Sequence, residues 1–234
     1  MAWPAHRQRD AFAGIPWRPL RSMPTYYPMM VDLAGRRCLV VGGGRVAERK
    51  VALLLDCGAE VTVVSPVTTR KIADLAARGA IRLARRTVRS GDVGRAFLAF
   101  AATDDAQVNQ SVARAVRKAG GLVNVADAPD DCNFVVPSVV RRGDLTIAIS
   151  TGGGSPALAK RLRQRLEATI GPEYEAFLAA LRELRTRAQQ VIADPTERQA
   201  LFRRAVDSDL FEHAARGDTA AVAACISELL QRTP

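Results

Sequence analysis

Histidine is nearly absent from this chain. Only His6 and His213 occur among 234 residues, one in a proline-rich lead-in and one in the tail, which excludes a histidine-rich metal site. The four cysteines, Cys38, Cys57, Cys132 and Cys225, lie far apart with no C-x-x-C pair. Neither a zinc knuckle nor a disulfide framework is therefore expected, and reduced thiols in the cytoplasm are the plain reading. No apolar run approaches the roughly 18 residues of a membrane span, so a soluble protein with no membrane partner is expected. Helix-turn-helix, RNA-binding and zinc-finger signatures are also missing, so nucleic acid is not an expected partner despite a basic chain. There is no internal repeat.

What is present is a chain that is 48% hydrophobic, long enough to bury one ordinary domain and a smaller appendage. The net charge of +10 is uneven. Residues 29–150 hold eighteen basic and twelve acidic side chains, whereas residues 151–234 hold twelve and eleven. The excess points to an anionic ligand such as a dinucleotide or a polycarboxylate, or simply to a solvated basic face. Residues 1–28 hold Pro4, Pro16, Pro19, Pro24 and Pro28 with four arginines and one acid. They read as a flexible lead-in, for which a start codon assigned upstream of Met23 or Met29 is the bland explanation and a transit-like leader the alternative.

From residue 31 short β-rich runs alternate with helical stretches. Strands are expected at 37–41, 60–64, 80–83, 96–101 and 122–125, with helices at 46–57, 68–78 and 106–119 between them. That alternation means a parallel sheet covered on both faces. The helix over 46–57 should turn Val46, Leu53, Leu54 and Cys57 inward. After Asp127 the rhythm changes. Phe134–Val136 and 145–150 read as strands joined through an exposed turn at Arg141, Arg142, Gly143 and Asp144, and Pro156 opens a helix. Beyond Gly171-Pro172 the chain reads as helical, with one apolar stripe from Tyr174 through Phe177, Leu184, Val191 and Ile192, and another from Val222 through Ile226 and Leu229.

The stretch LVVGGGRVAERK, residues 39–50, poses the functional question. Gly42-x-Gly44-x-x-Ala47 fits the G-x-G-x-x-G/A pattern that follows the first strand of a dinucleotide fold. The first glycine permits a tight turn, the second lets a pyrophosphate approach the backbone, and the small third residue lets helix and strand pack closely. The helix N-terminus then aims free N–H groups at the phosphates. At the end of the second strand, Ser65 stands where an Asp or Glu would hold the ribose hydroxyls, so these residues do not choose between NAD and NADP. Arg45 in the glycine loop can meet a 2′-phosphate or remain solvated.

Five stretches in order, LVVGGGRVAERK, GAEVTVVSP, AATDDAQVNQ, VNVADAPDDCNFVVPS and LTIAISTGGGSPALAKRLR, resemble the precorrin-2 dehydrogenase/sirohydrochlorin ferrochelatase family of siroheme synthesis. The resemblance runs from about Tyr27 to Glu167 and more loosely through the tail. It implies an α/β, Rossmann-like NAD-binding domain over 27–137 after a flexible extension over 1–26. A small dimerisation segment over 138–170 and a helical region over 171–234 follow. It implies a homodimer that oxidises precorrin-2, a tetrapyrrole, to sirohydrochlorin with NAD; some members also insert ferrous iron. The family's functional carboxylate is here Asp127, and the coenzyme contacts fall on Gly42, Gly43, Gly44, Arg45, Val46, Pro66 and Val67, joined by Thr103 and Asp104. The lead-in lies outside the family pattern, and without a fused methyltransferase domain the chain looks like the stand-alone form.

The residues themselves leave alternatives beside that implication. Asp127 follows a strand at the carboxyl edge of the sheet, the place for a general base, yet an Asp before Ala128-Pro129 also suits a turn cap. Thr151, Gly152, Gly153 and Ser155 form a second glycine-rich loop, where Ser155 suits an N-cap and the backbone N–H groups suit a substrate carboxylate; a plain connector is the alternative. Arg141 and Arg142 can pair with tetrapyrrole carboxylates or sit solvated at a hairpin tip. Asn124 either orients Asp127 or fills a strand position. If a metal is inserted, Asp127 is the carboxylate for it; no metal site is otherwise fixed. Two rival functions stand beside the dehydrogenase, a chelatase alone and a nucleotide-sensing module without catalysis.

Overall fold

The computed structural model describes residues 26–231; the lead-in, with His6 and the expected flexibility of 1–26, lies outside the described residues except for Tyr26. Five parallel strands form the first unit: β1 (Arg37–Val41), β2 (Glu60–Val64), β3 (Arg82–Ala84), β4 (Leu98–Ala101) and β5 (Leu122–Val125). They lie side by side in the order β3-β2-β1-β4-β5. The order reverses between β1 and β4, and in such sheets ligands bind outside the carboxyl ends of the strands at that reversal. Val40, Val63, Ala99 and Val123 are fully buried, because a parallel sheet covered on both faces favours near-continuous apolar, β-branched runs.

Helices α1 (Arg45–Asp56) and α2 (Arg70–Ala77) cover one face, and α3 (Ser90–Val93) and α4 (Ala106–Lys118) the other. The buried side chains of α1 are Ala47, Val51 and Leu54, so only Leu54 of the expected four is fully inside. Ala47 faces the strand because helix and sheet approach closely at the glycine loop, and that turns the apolar stripe away from Val46. The short α3 has too little periodicity to be read from sequence.

A second expectation is also corrected. Phe134–Val136 is not a strand; β6 (Ser138–Arg142) pairs antiparallel with β7 (Leu145–Ile149), so Arg141 and Arg142 belong to the strand and the turn is Gly143-Asp144. The physical reason is local. The Phe134 ring packs edge-on against Phe100 at 5.6 Å, and its carbonyl accepts a hydrogen bond from the Asn124 side chain at 3.1 Å. Side chains therefore dock this segment on the sheet, in place of a ladder.

Helix α5 (Pro156–Thr169) leans on β6 and β7. The tail comprises α6 (Glu173–Val191), α7 (Pro195–Val206), α8 (Leu210–Ala215) and α9 (Thr219–Gln231). These four helices bury their own core around Leu184, Leu201, Leu210 and Ile226, separate from the two cores of the sheet. Val191, expected inside, is 69% exposed, while Ala188 takes the buried position one turn earlier. Among the described residues no helix is long and apolar enough to cross a membrane.

Candidate functional site

The glycine loop is enclosed by its neighbours at two points and open at the third. Gly42 has φ +118°, and a Cβ there would lie 2.2 Å from the carbonyl oxygen of Ala102. A Cβ on Gly43 would lie 2.1 Å from the Val67 carbonyl oxygen and 2.8 Å from Ser65 Oγ. Only hydrogen fits at either position. At Gly44 the same test meets nothing within 4 Å, so this face is free for a ligand.

These contacts gather the expected coenzyme residues from three loops. The loop after β2 brings Ser65, Val67 and Thr68 against Gly43, with Pro66 exposed between them, and Thr69 N–H donates to the Gly43 carbonyl at 2.9 Å. The loop after β4 brings Ala102 and Thr103 against Gly42, with Asp104 exposed beside them. Gly44 is the N-cap of α1 and contributes no side chain. The N–H groups of Arg45, Val46 and Ala47 have no protein acceptor among the described residues, as expected of a helix start left for an anion. Thr68 Oγ1 is buried beside Gly43 without a hydrogen-bond partner. Open backbone donors, a glycine face with room and an orphaned hydroxyl fit a dinucleotide. Ser65, by contrast, donates its hydroxyl to the Val67 carbonyl at 2.7 Å and so braces the turn.

Behind the loop, Lys71 Nζ lies 3.0 Å from Glu48 Oε1, tying α2 to α1. Hydrogen bonds from Lys71 and then Thr69 hold the Glu48 carboxyl below its ordinary value. Lys50, two residues on, sits 4.9 Å over the Phe100 ring, and burial lowers its pKa.

Asp127 lies just past β5, where Ala126 N–H donates to the Ala101 carbonyl at 2.9 Å. β5 is two strands from β1, about 10 Å at ordinary strand spacing. Asp127 is exposed and has φ +58°, the only positive φ outside glycine among the described residues. Its carboxylate makes no hydrogen bond or ion pair among the described residues, so it does not act as a side-chain cap of the short 3-10 turn Pro129–Asp131 that follows. Asn124 does not reach toward it but donates to Phe134 O.

Most of the other expected substrate residues are engaged elsewhere. Arg142 donates from Nε to the Ile170 carbonyl at 2.9 Å and from Nη2 to the Glu167 carbonyl at 3.1 Å, holding the carboxyl end of α5. Arg141 is exposed; beyond it Asp144 pairs with Arg182 of α6. Thr151 Oγ1 exchanges hydrogen bonds with the backbone of Ser155, whose own Oγ accepts from Leu158 N–H at 3.2 Å as the N-cap of α5. Gly152 N–H donates to Ser150 Oγ at 3.1 Å, and Gly153 is exposed at the tip. Sequence reasoning passed over Asn109, Cys132, Asn133 and Thr68, each of which shapes a loop at this edge. The motifs contain all but Thr68, but their partners are not adjacent in sequence.

The fold and loop define a Rossmann-type dinucleotide-binding protein with a hairpin and helical unit attached. Residues 29–138 match an NAD(P)-binding family model, 142–169 the sirohaem biosynthesis protein central model and 173–230 the sirohaem synthase dimerisation region. A solved structure described as SirC, precorrin-2 dehydrogenase, is 32% identical, covers 85% of this chain and 99% of its own, and superposes with a TM-score of 0.71. The chain belongs to the precorrin-2 dehydrogenase family of siroheme synthesis. Siroheme synthases of Methylococcus capsulatus and Nitrosococcus oceani are 41% and 37% identical over 82% of this chain. The chain spans about two fifths of the length of these curated relatives, 40% and 41% respectively.

Proposed function

We propose that the chain oxidises precorrin-2 to sirohydrochlorin with NAD. The observation that carries this reading is the juxtaposition, along one sheet edge, of an open Gly44–α1 anion cradle and the unengaged carboxylate of Asp127. When bound, the oxidised nicotinamide supplies the hydride acceptor. The chain's residues do the rest. The N–H groups of Arg45, Val46 and Ala47 bind the pyrophosphate, while Pro66, Val67, Thr103 and Asp104 flank the coenzyme. Asp127 takes the proton from the position next to the ring carbon that loses hydride, so the substrate gives up one hydride and one proton in all. The match to an NAD(P)-binding model and the likeness to a solved precorrin-2 dehydrogenase support NAD as that coenzyme.

The protein works as a homodimer of a nucleotide unit over 27–137, a pairing segment over 138–170 and a helical unit over 171–234. The match to a dimerisation region and the unpaired outer edges of the two-stranded β6-β7 sheet support that arrangement. Four free thiols suit a reducing cytoplasm. Ferrous iron enters only as a second substrate, with Asp127 as the carboxylate for its insertion. Anaerobic incubation of the full chain with precorrin-2 and NAD should yield NADH and sirohydrochlorin in equal amounts. Nucleotide binding with no turnover would overturn the reading in favour of a sensor. Adding ferrous iron to the same mixture tests insertion.

A further inference from the structure

β5 is an edge strand, yet its outward backbone groups do not face water. Val123 N–H donates to Asn133 Oδ1 at 2.7 Å, and the Val123 carbonyl accepts from Asn133 N–H at 3.0 Å. One step along, Val125 N–H meets Cys132 Sγ at 3.1 Å, and the Asn124 side-chain amide meets the same sulfur at 3.5 Å. The thiol proton has two carbonyl acceptors at 3.4 Å, those of Val125 and Ala128. Asn133 Nδ2 closes the row on the Gly121 carbonyl at 2.9 Å. Two side chains thus stand in for a sixth strand, satisfying an edge that would otherwise leave donors orphaned.

Between the two attachments of the sulfur, at residues 125 and 128, lie only Ala126 and Asp127. A non-glycine residue at φ +58° costs on the order of 1 kcal/mol and persists only where its surroundings over-determine it. The Cys132 thiol grips the backbone on both sides of that residue. We infer that Cys132 is a positioning residue: its thiol staples Val125 to Ala128 and thereby holds Asp127 in the left-handed conformation that presents its carboxylate to the tetrapyrrole. This deepens the reading of Asp127 as the base and rests on it. The sulfur accepts two donors and donates once, so a serine hydroxyl keeps the pattern over a shorter reach, whereas alanine leaves the Val125 N–H without a partner.

The test uses the full chain and four variants: Cys132→Ala, Cys132→Ser, Asp127→Asn and the Asp127→Asn/Cys132→Ala pair. Cys132→Ala should lower kcat for anaerobic precorrin-2 oxidation by at least about tenfold, because small misplacements of a reacting group are costly. KM for NAD should stay within about twofold, since the glycine loop is built from other residues. Cys132→Ser should recover most of the loss. In the Asp127→Asn background, Cys132→Ala should add no further loss, the signature of a residue acting through another. Unchanged kcat in Cys132→Ala, or the same fractional loss with Asp127 already replaced, would overturn the inference. Hydrogen exchange at the Val125 amide, whose N–H the sulfur accepts, gives a reading independent of turnover. Faster exchange in Cys132→Ala supports the staple, and unchanged exchange overturns it, even if the unmodified chain proves inactive and the proposed reaction itself fails.

Discussion

Asn109 and Thr103 clasp each other across the start of α4. Asn109 Oδ1 accepts from Thr103 Oγ1 at 2.7 Å and from Thr103 N–H at 3.1 Å, while Asn109 Nδ2 donates back to the Thr103 carbonyl at 2.9 Å. Asn109 is 6% exposed, one of two buried polar residues in the described chain. The clasp fixes the turn that lies against Gly42. Asn109→Leu should therefore destabilise the protein by about 2 kcal/mol, the cost of leaving a buried backbone donor unpaired, and weaken NAD binding. Urea unfolding and coenzyme titration check both; native stability would mean the turn holds itself.

The glycines of the loop should separate by position. Gly43→Ala forces a carbon into the Val67 carbonyl and should cost about 1–3 kcal/mol along with coenzyme affinity. Gly44 has φ −80° and open space around its Cβ position, so Gly44→Ala should fold with stability altered by less than about 1 kcal/mol. It should nevertheless weaken NAD by roughly tenfold if, as proposed, the pyrophosphate approaches the open face that the added methyl would fill. Thermal melts and fluorescence titration on the two variants distinguish a fold effect from a ligand effect.

Asp127→Asn removes the proposed proton acceptor without changing size. Turnover should fall by about 100-fold or more while NAD binding is kept. Turnover equal to that of the unmodified chain would take Asp127 out of the mechanism.

Burial, with a smaller contribution from neighbouring Cys57, pushes the Cys38 thiol up from 9.0 to about 11. The unfolded chain therefore deprotonates first as pH rises. Stability from this group is complete below about pH 9 and is lost as pH climbs through 11. At pH 8 Cys38 should resist alkylation in the native protein and react once unfolded, which mass spectrometry of the labelled chain reads directly.

Much was legible in the residues alone. The alternation of β-branched runs with helical stretches is a local pattern, and it foretold the parallel sheet because both faces of such strands are buried. The glycine loop was legible for the same reason: a helix start after a strand, with glycines where a carbon will not fit, is written within nine residues from Leu39 to Ala47. Phe134–Val136 was misread because β-propensity marks an apolar, half-buried segment without saying whether a strand lies within pairing reach.

The order of residues by itself determined the class of fold and the form of the glycine loop, since each depends on neighbours close along the chain, while the residues around Asp127 left a base and a turn cap both open. Only the tertiary structure decided that Arg142 caps α5 from 25 and 28 residues away, that Asn133 and Cys132 close the β5 edge, and that Asp127 stands with a positive φ between the two grips of one thiol. Hydrogen bonds across such separations leave no period in the sequence, because what selects them is the meeting of unpaired backbone groups once the sheet has formed.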